Sequence, residues 1–329
     1  MSATRVLVTE PEFRRAPSTF EAASGLACQP APSDEPALAR VVARHRVRYV
    51  VLGHQPYRGA LYEAMPPGGL LARFGVGYDG IDLASATAAG VFCTNTPGVL
   101  DQSVAEHAML LIAAAARRLT TIAGAMTSRE WAPREGVELA GKTLAIVGYG
   151  RIGRALARIA RHGYRMRVVA YRPAGGRPLP PGAFVDADAV TSELAAALSD
   201  ASFVSVHIPA SAANARFFDA ERLALCRPDA WIINTARGLV IDEAALFDAI
   251  SSGRLGGAAL DVFAQEPYVP IDPEKDLRTL DRVILTPHVG SHTADANRRM
   301  AERALANVRF AVAGDWDRLD LLNPDVRRR

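Results

Sequence analysis

The sequence is poor in cysteine and almost without lysine. Its three cysteines, Cys28, Cys93 and Cys226, are odd in number and none stands in a CxxC pair. That argues against a disulfide framework or a structural zinc site, and no metal is expected; a reducing compartment fits, so cytoplasmic location is the expectation. Each cysteine reads as a small buried hydrophobe. Lysine occurs only at 142 and 275, so arginine supplies nearly all of the 38 basic residues, and 35 acidic residues leave a net charge of +3. The one single-sign run, Arg327, Arg328 and Arg329, reads as a solvated tail, and nucleic acid is not indicated. Met1 to Glu10 lacks the build of a signal peptide. The most apolar helix-like run, Ala108 to Ala116, is too short to span a bilayer, so no membrane partner is expected.

What is present is an ordinary globular composition over 329 residues, 49% apolar and 22% charged, long enough for two domains. Short β-rich runs alternate with helical stretches nearly throughout, which predicts parallel sheets of the α/β class. In the first hundred residues the strand candidates are Arg5–Thr9, Arg48–Leu52, Leu70–Phe74 and Val91–Thr94, with helices over Pro36–Arg46 and Leu83–Ala89. One long helical stretch runs from Gln102 to the neighbourhood of Thr127 and stops before Trp131-Ala132-Pro133. A second series offers strands at Thr143–Val147, Arg167–Tyr171, Phe203–Ile208, Trp231–Asn234, Gly257–Asp261 and Val283–Thr286. Its helices are Ile152–His162, Ser192–Leu198, Ala220–Cys226 and Glu243–Ser251, the last three led by Thr191, Asp219 and Asp242 as caps, and a final helix spans Ala294–Ala313.

Gly148-Tyr149-Gly150-Arg151-Ile152-Gly153 follows the apolar strand Thr143–Val147 directly and opens a helix. In that context the three glycines serve a tight turn, a close approach of pyrophosphate to backbone, and close helix–strand packing. The amides of Arg151 and Ile152 would face the phosphates at the positive end of the helix dipole. At the end of the next strand an NAD-specific site expects Asp or Glu for the ribose hydroxyls. Here Arg172 stands instead, with Arg177 five residues on. A guanidinium can pair with a 2′-phosphate, so the reading favours NADP(H) over NAD(H). The plainer alternative is an exposed arginine over the adenine that tolerates both cofactors.

Three further segments put charge at strand ends in apolar surroundings: Asn234-Thr235-Ala236-Arg237-Gly238, Asp261-Val262-Phe263 running to Glu266-Pro267, and Thr286-Pro287-His288-Val289-Gly290. In an open α/β sheet the carboxyl ends of strands form the ligand crevice, so the three can converge. Taken singly, each has a plainer reading: a surface arginine, a loop carboxylate, a turn histidine. In this order and spacing they read as one catalytic constellation.

These segments, together with Arg73-Phe74-Gly75-Val76-Gly77-Tyr78-Asp79-Gly80-Ile81-Asp82, Thr94-Asn95-Thr96-Pro97-Gly98, Ser103-Val104-Ala105-Glu106 and Asn323-Pro324-Asp325, closely resemble the D-isomer-specific 2-hydroxyacid dehydrogenase family. The resemblance covers nearly the whole chain and is weakest over the first 60 residues. It implies two Rossmann-like or flavodoxin-like doubly wound domains with a cleft between them: a discontinuous substrate domain, residues 1–100 and 290–329, and a nucleotide domain, residues 101–289. It implies hydride transfer between nicotinamide and C2 of a 2-keto or 2-hydroxy acid. His288 would be the acid/base, Glu266 its partner, and Arg237 the carboxylate-binding and carbonyl-polarising group. The backbone amides of Val76 and Gly77 would hold the same carboxylate. Asp261 would contact the nicotinamide end, and Val104, Ile208, Thr235, Ala236 and Ser291 would line the cofactor. The stretch from Gln102 resembles a dimer-forming arm, so a homodimer is expected, although its apolar face could equally be core. Two rivals share the architecture: a formate- or phosphite-type dehydrogenase, and a dinucleotide-binding corepressor-like scaffold, against which the lack of a long Pro-rich tail weighs.

Overall fold

The computed structural model describes residues 3–175 and 178–328. The chain divides into two compact units, one of Met1–Leu100 with His292–Arg329, the other of Asp101–Ser291.

The first unit is built on five parallel strands, β1 (Thr4–Thr9), β2 (Leu26–Ala31), β3 (Tyr49–Leu52), β4 (Leu70–Arg73) and β5 (Phe92–Thr94), in the order β2-β1-β3-β4-β5. That is the flavodoxin-like order. Both faces are covered, so β3 and β4 are buried at every position and read as apolar runs rather than alternating ones, apart from the buried Arg73 that ends β4. On one face Leu7, Val50, Leu52, Leu71 and Cys93 pack with Leu38 and Val42 of the helix Glu35–His45. The C-terminal helix Ala294–Ala313, capped by Thr293 and closed by left-handed Gly314, packs against β4. Asn323 ties the chain end to β5, accepting from the Cys93 amide at 2.9 Å and donating to the Val91 carbonyl at 2.9 Å. Strand β2 escapes sequence reading because its stretch, Leu-Ala-Cys-Gln-Pro-Ala, contains a proline. At the sheet edge a proline N without a hydrogen costs no ladder bond on the open side.

The second unit carries seven parallel strands, β6 (Thr143–Val147), β7 (Arg167–Tyr171), β8 (Ala189–Thr191), β9 (Phe203–Val206), β10 (Trp231–Asn234), β11 (Gly257–Leu260) and β12 (Val283–Leu285). Their order is β12-β11-β10-β9-β6-β7-β8, a doubly wound Rossmann sheet with β8 added at one edge. Alternation sorts its side chains to two faces. Leu144 and Ile146 join Ile233, Ala259 and Ile284 under the helix Asp101–Ala116, while Ala145 and Val147 join Val204, Val206, Ile232, Ala258 and Leu260 on the other side. Residues Asp219 and Asp242 cap their helices as the sequence predicts, accepting from Arg222 and from Ala244 and Ala245, but Thr191 does not: it ends β8, and the helix Leu194–Leu198 starts after Glu193 with no side-chain cap.

Two of the longer helices also depart in shape from the sequence reading. The long stretch from Gln102 is two helices, Asp101–Ala116 and Leu119–Thr127, bent by 69°. Arg118 takes a left-handed φ of 49° at the break, a stop that no Gly or Pro announces. The helix after the glycine motif is α-helical over Arg151–Arg158 and then widens into a π-helical turn, Ile159–Gly163. Among the described residues no single helix is long and apolar enough to cross a membrane, and the bent pair passes only jointly. No group of three or more metal-ligating side chains occurs among them.

Candidate active site

The carboxyl ends of β10, β11 and β12 place three ionisable side chains, Arg237, Glu266 and His288, in the second unit. After β10 the buried Asn234 shapes the turn: its side-chain oxygen accepts from the Ala236 amide at 3.0 Å and its amide donates to the Arg237 carbonyl at 2.9 Å. Arg237 Nη1 donates to the Ala236 carbonyl at 2.6 Å, which curls the guanidinium over its own turn. Gly238 follows because nothing larger fits. A Cβ there would stand 1.8 Å from the Phe263 carbonyl carbon, so the Arg237 turn and the turn after β11 touch backbone to backbone.

That second turn presents Glu266. Its Oε1 accepts from the Phe263 amide at 3.0 Å and its Oε2 lies 2.7 Å from His288 Nδ1. A carboxylate only accepts, so Nδ1 carries the hydrogen of this bond and Nε2 is the ring nitrogen left for proton exchange. His288 has a left-handed φ of 53°, a conformation non-glycine residues rarely hold outside sites that over-determine it.

Asp261 supplies that determination. It is 1% exposed and directly follows β11. Its carboxylate accepts from the amides of Val289 and Gly290 at 2.9 and 2.8 Å and from the Thr286 hydroxyl at 2.6 Å. Nε2 of His107, on the helix Asp101–Ala116, lies 3.3 Å from the same carboxylate. Burial opposes the charge, yet the hydrogen bonds from His107, Thr286, Val289 and Gly290 outweigh it and hold the carboxyl below its ordinary range. The Asp261 carbonyl also accepts from the His288 amide at 2.8 Å. One aspartate thus fixes the whole turn that carries His288. Sequence reading singles out Asp261 for the cofactor and misses this anchoring, as it misses Asn234; the only signal is a short polar side chain at a strand end, suited to capturing backbone amides.

The glycine motif sits where β6 and β9 are neighbours and the strand order reverses, the usual place for a dinucleotide. Gly148 has φ 100° and a Cβ there would meet the His207 carbonyl carbon at 2.6 Å; a Cβ on Gly153 would meet the Gly148 oxygen at 2.6 Å. Gly150, by contrast, has nothing within 4 Å of its Cβ direction, and no side chain caps the helix that starts at Arg151. Open space over uncapped helix amides fits a pyrophosphate. Ile208 and Thr235 are buried, and the Thr235 hydroxyl has no hydrogen-bond partner among the described residues, an orphan that a ligand would satisfy. Val104 lies near Gly290, while Ala236 and Ser291 are half-buried. His207 contacts the Ser205 hydroxyl at 2.8 Å and burial pushes its pKa down to about 4, so it is a neutral packing histidine. Arg172 is half-buried at the end of β7, its amide bonded to the Thr191 carbonyl at 3.0 Å. Arg177 lies outside the described residues.

Val76 and Gly77 belong to the first unit, in the loop after β4. The Val76 carbonyl accepts from Asn95 Nδ2 at 2.8 Å, Asn307 Nδ2 donates to the Asn95 carbonyl at 3.2 Å, and Arg73 Nε donates to the Gly77 carbonyl at 2.9 Å. Tyr57, in the loop after β3, is fully buried in that unit's core.

Residues 109–290 match the NAD binding domain of the D-isomer specific 2-hydroxyacid dehydrogenases. A glyoxylate reductase of Thermococcus litoralis is 38% identical over 275 residues, 81% of this chain and 80% of that protein. A glyoxylate reductase structure from Paecilomyes thermophila superposes with a TM-score of 0.83 at 27% identity, covering 99% of both chains. An NADPH-dependent glyoxylate/hydroxypyruvate reductase of Sinorhizobium meliloti, solved with NADP and malonate, gives 0.77 at 27% identity over 94% of this chain and 93% of that one. The chain belongs to the D-isomer-specific 2-hydroxyacid dehydrogenase family. Its activity is that of an NAD(P)-dependent oxidoreductase of CH–OH donors, interconverting 2-keto and 2-hydroxy acids.

Proposed function

We propose that this protein reduces a short 2-keto acid of the glyoxylate type, prefers NADP(H), and works through Arg237, Glu266 and His288. The observation that carries the reading is the 2.7 Å His288–Glu266 pair at the end of β12, beside the Arg237 turn in the nucleotide-binding unit. When bound, a nicotinamide dinucleotide would supply the hydride for C2. His288 gives a proton from Nε2 to the carbonyl oxygen as charge develops there, and takes it back in oxidation. Glu266 keeps the ring oriented by accepting the Nδ1 hydrogen. Arg237 binds the substrate carboxylate and polarises the carbonyl, and we assign the amides of Val76 and Gly77 to the same carboxylate.

The cofactor preference rests on Arg172 at the end of β7, where an acidic residue would repel a 2′-phosphate. The relative from Sinorhizobium meliloti, NADPH-dependent by its description, supports the same choice. For the dimer, the helical arm exposes Leu110 at 57%, Leu119 at 46% and Met126 at 58%, apolar surface that a second copy would cover.

A screen of glyoxylate, hydroxypyruvate, pyruvate and bulkier 2-keto acids with NADPH and with NADH tests substrate and cofactor together. A clear preference for NADH, or for a bulky acid, would overturn those parts. His288→Ala and Arg237→Ala are expected to lower turnover by about a hundredfold or more while cofactor binding stays measurable. Near-normal turnover of either purified variant removes that residue from the mechanism.

A further inference from the structure

Glu243 has no part in the chemistry above, yet it is built into the same corner. It opens the helix Glu243–Ser251 and is 5% exposed. Its Oε1 accepts from the Ala264 amide at 2.7 Å, while its Oε2 is buried with no hydrogen-bond donor among the described residues. Ala264 is the residue after Phe263, whose own amide goes to Glu266. Two successive amides of one turn are therefore held by two carboxyl groups, one buried beneath the turn and one facing His288. The contact at Gly238 closes the turn on a further side.

Among the described residues the ionisable groups that act on Glu243 are the acidic Asp242 and Glu266, with the Tyr268 hydroxyl also within its field. A carboxylate with one bare oxygen in such a place lacks both the hydrogen bonds and the counter-charge that buried anions require. A carboxylic acid avoids that: its carbonyl oxygen accepts from Ala264, and no negative charge is set beside Glu266. Burial and the two acidic neighbours act in the same direction, raising the carboxyl above its ordinary range, while the Ala264 hydrogen bond opposes them only in part.

We propose that Glu243 is a positioning residue that acts uncharged, fixing the Phe263–Glu266 turn through the Ala264 amide and so setting how Glu266 meets His288. The inference rests on the assignment of Glu266 and His288 to acid–base chemistry.

The test uses the full-length protein with its fastest 2-keto acid, comparing Glu243→Leu and Glu243→Gln. The leucine matches the size but removes the acceptor. It is expected to lower kcat by about 10- to 100-fold, leave the cofactor KM unchanged and alter the pH profile of kcat/KM. The glutamine, uncharged with an oxygen in place, is expected to recover most of the loss and the wild-type profile. Infrared difference spectra of wild type against the glutamine variant should show a protonated carboxyl band at neutral pH, which decides the matter even if the leucine variant does not fold. A glutamine variant as impaired as the leucine, the absence of that band, or an unimpaired leucine variant would each overturn the proposal. His288→Ala run in parallel separates the two levels. Near-normal turnover there defeats the assignment of the pair, whereas an inactive His288→Ala beside an unimpaired Glu243→Leu defeats only the role of Glu243.

Discussion

Replacing Asp261 with Asn removes a charge and one acceptor while changing the side-chain volume very little. The four donors around the carboxylate are unevenly shared: Thr286, Val289 and His107 converge on Oδ1, and the Gly290 amide goes to Oδ2. An asparagine has one oxygen for these two positions. In its better orientation it keeps the Oδ1 set and turns its NH2 toward the Gly290 amide, which is then a buried donor facing a donor. Losing a hydrogen bond to a charged group costs about 1.5–3 kcal/mol, and a stranded buried amide adds about 1–3. The sum, about 2.5–6 kcal/mol, falls on the turn that holds His288 in its left-handed backbone. A tenfold change corresponds to about 1.4 kcal/mol, so amide exchange across residues 286–290 should accelerate by about two to four decades.

Hydrogen–deuterium exchange of that peptide, with kcat measured alongside, reads the effect directly. The expected result is local loss of protection with a lower kcat, while β6 and β7 keep theirs. Acid adds a second signature. The folded-state carboxyl of Asp261 sits below the ordinary value of 3.8, so its stabilisation is intact above that value and is lost as pH falls through the folded-state one. The wild-type turn should therefore loosen only in strong acid, whereas the Asn variant should be loose already and show no such step. Unchanged exchange and unchanged kcat in Asp261→Asn would refute the anchoring role.

Gly238→Ala forces a Cβ to within 1.8 Å of backbone carbon, so it should destabilise the second unit by about 3 kcal/mol or more and lower kcat, read from urea midpoints and initial rates. His207 has its pKa depressed from 6.5 to about 4, so the unfolded chain takes up its proton first on acidification. Stability should decline between those values by up to about 3 kcal/mol, and His207→Gln should remove that slope in thermal melts; a retained slope counts against it. Asn95→Ala frees the Val76 carbonyl and should raise KM for the keto acid severalfold with the cofactor KM unchanged; equal KM values would detach Asn95 from substrate binding.

The parts legible in sequence are those where one physical requirement dominates. The strand Thr143–Val147 needs burial on both faces and is apolar after Thr143; the glycines after it need contacts no side chain permits, as Gly148 and Gly153 show. Arg237, Glu266 and His288 stand out because charge at a strand end in apolar surroundings is costly to keep unless a ligand or a partner charge uses it. What sequence conceals is decided by tertiary neighbours. Arg118 ends a helix whose composition would let it continue. Pro30 is tolerated because β2 is an edge, a property of the sheet rather than of the segment.

Glu243 shows the same limit at the site itself. In sequence it is the first acidic residue of a helix, a position that the helix dipole alone would favour. In the fold it lies under the next strand's turn, with one oxygen on Ala264 and the other facing no donor. Asp261 and Glu243 are both buried acids of this unit, and both hold backbone amides. The first has enough donors to remain an anion, while the second has one among the described residues and lies beside acidic and phenolic groups. Their opposite departures from the ordinary carboxyl range follow from that difference in donor number, which no periodicity or spacing encodes.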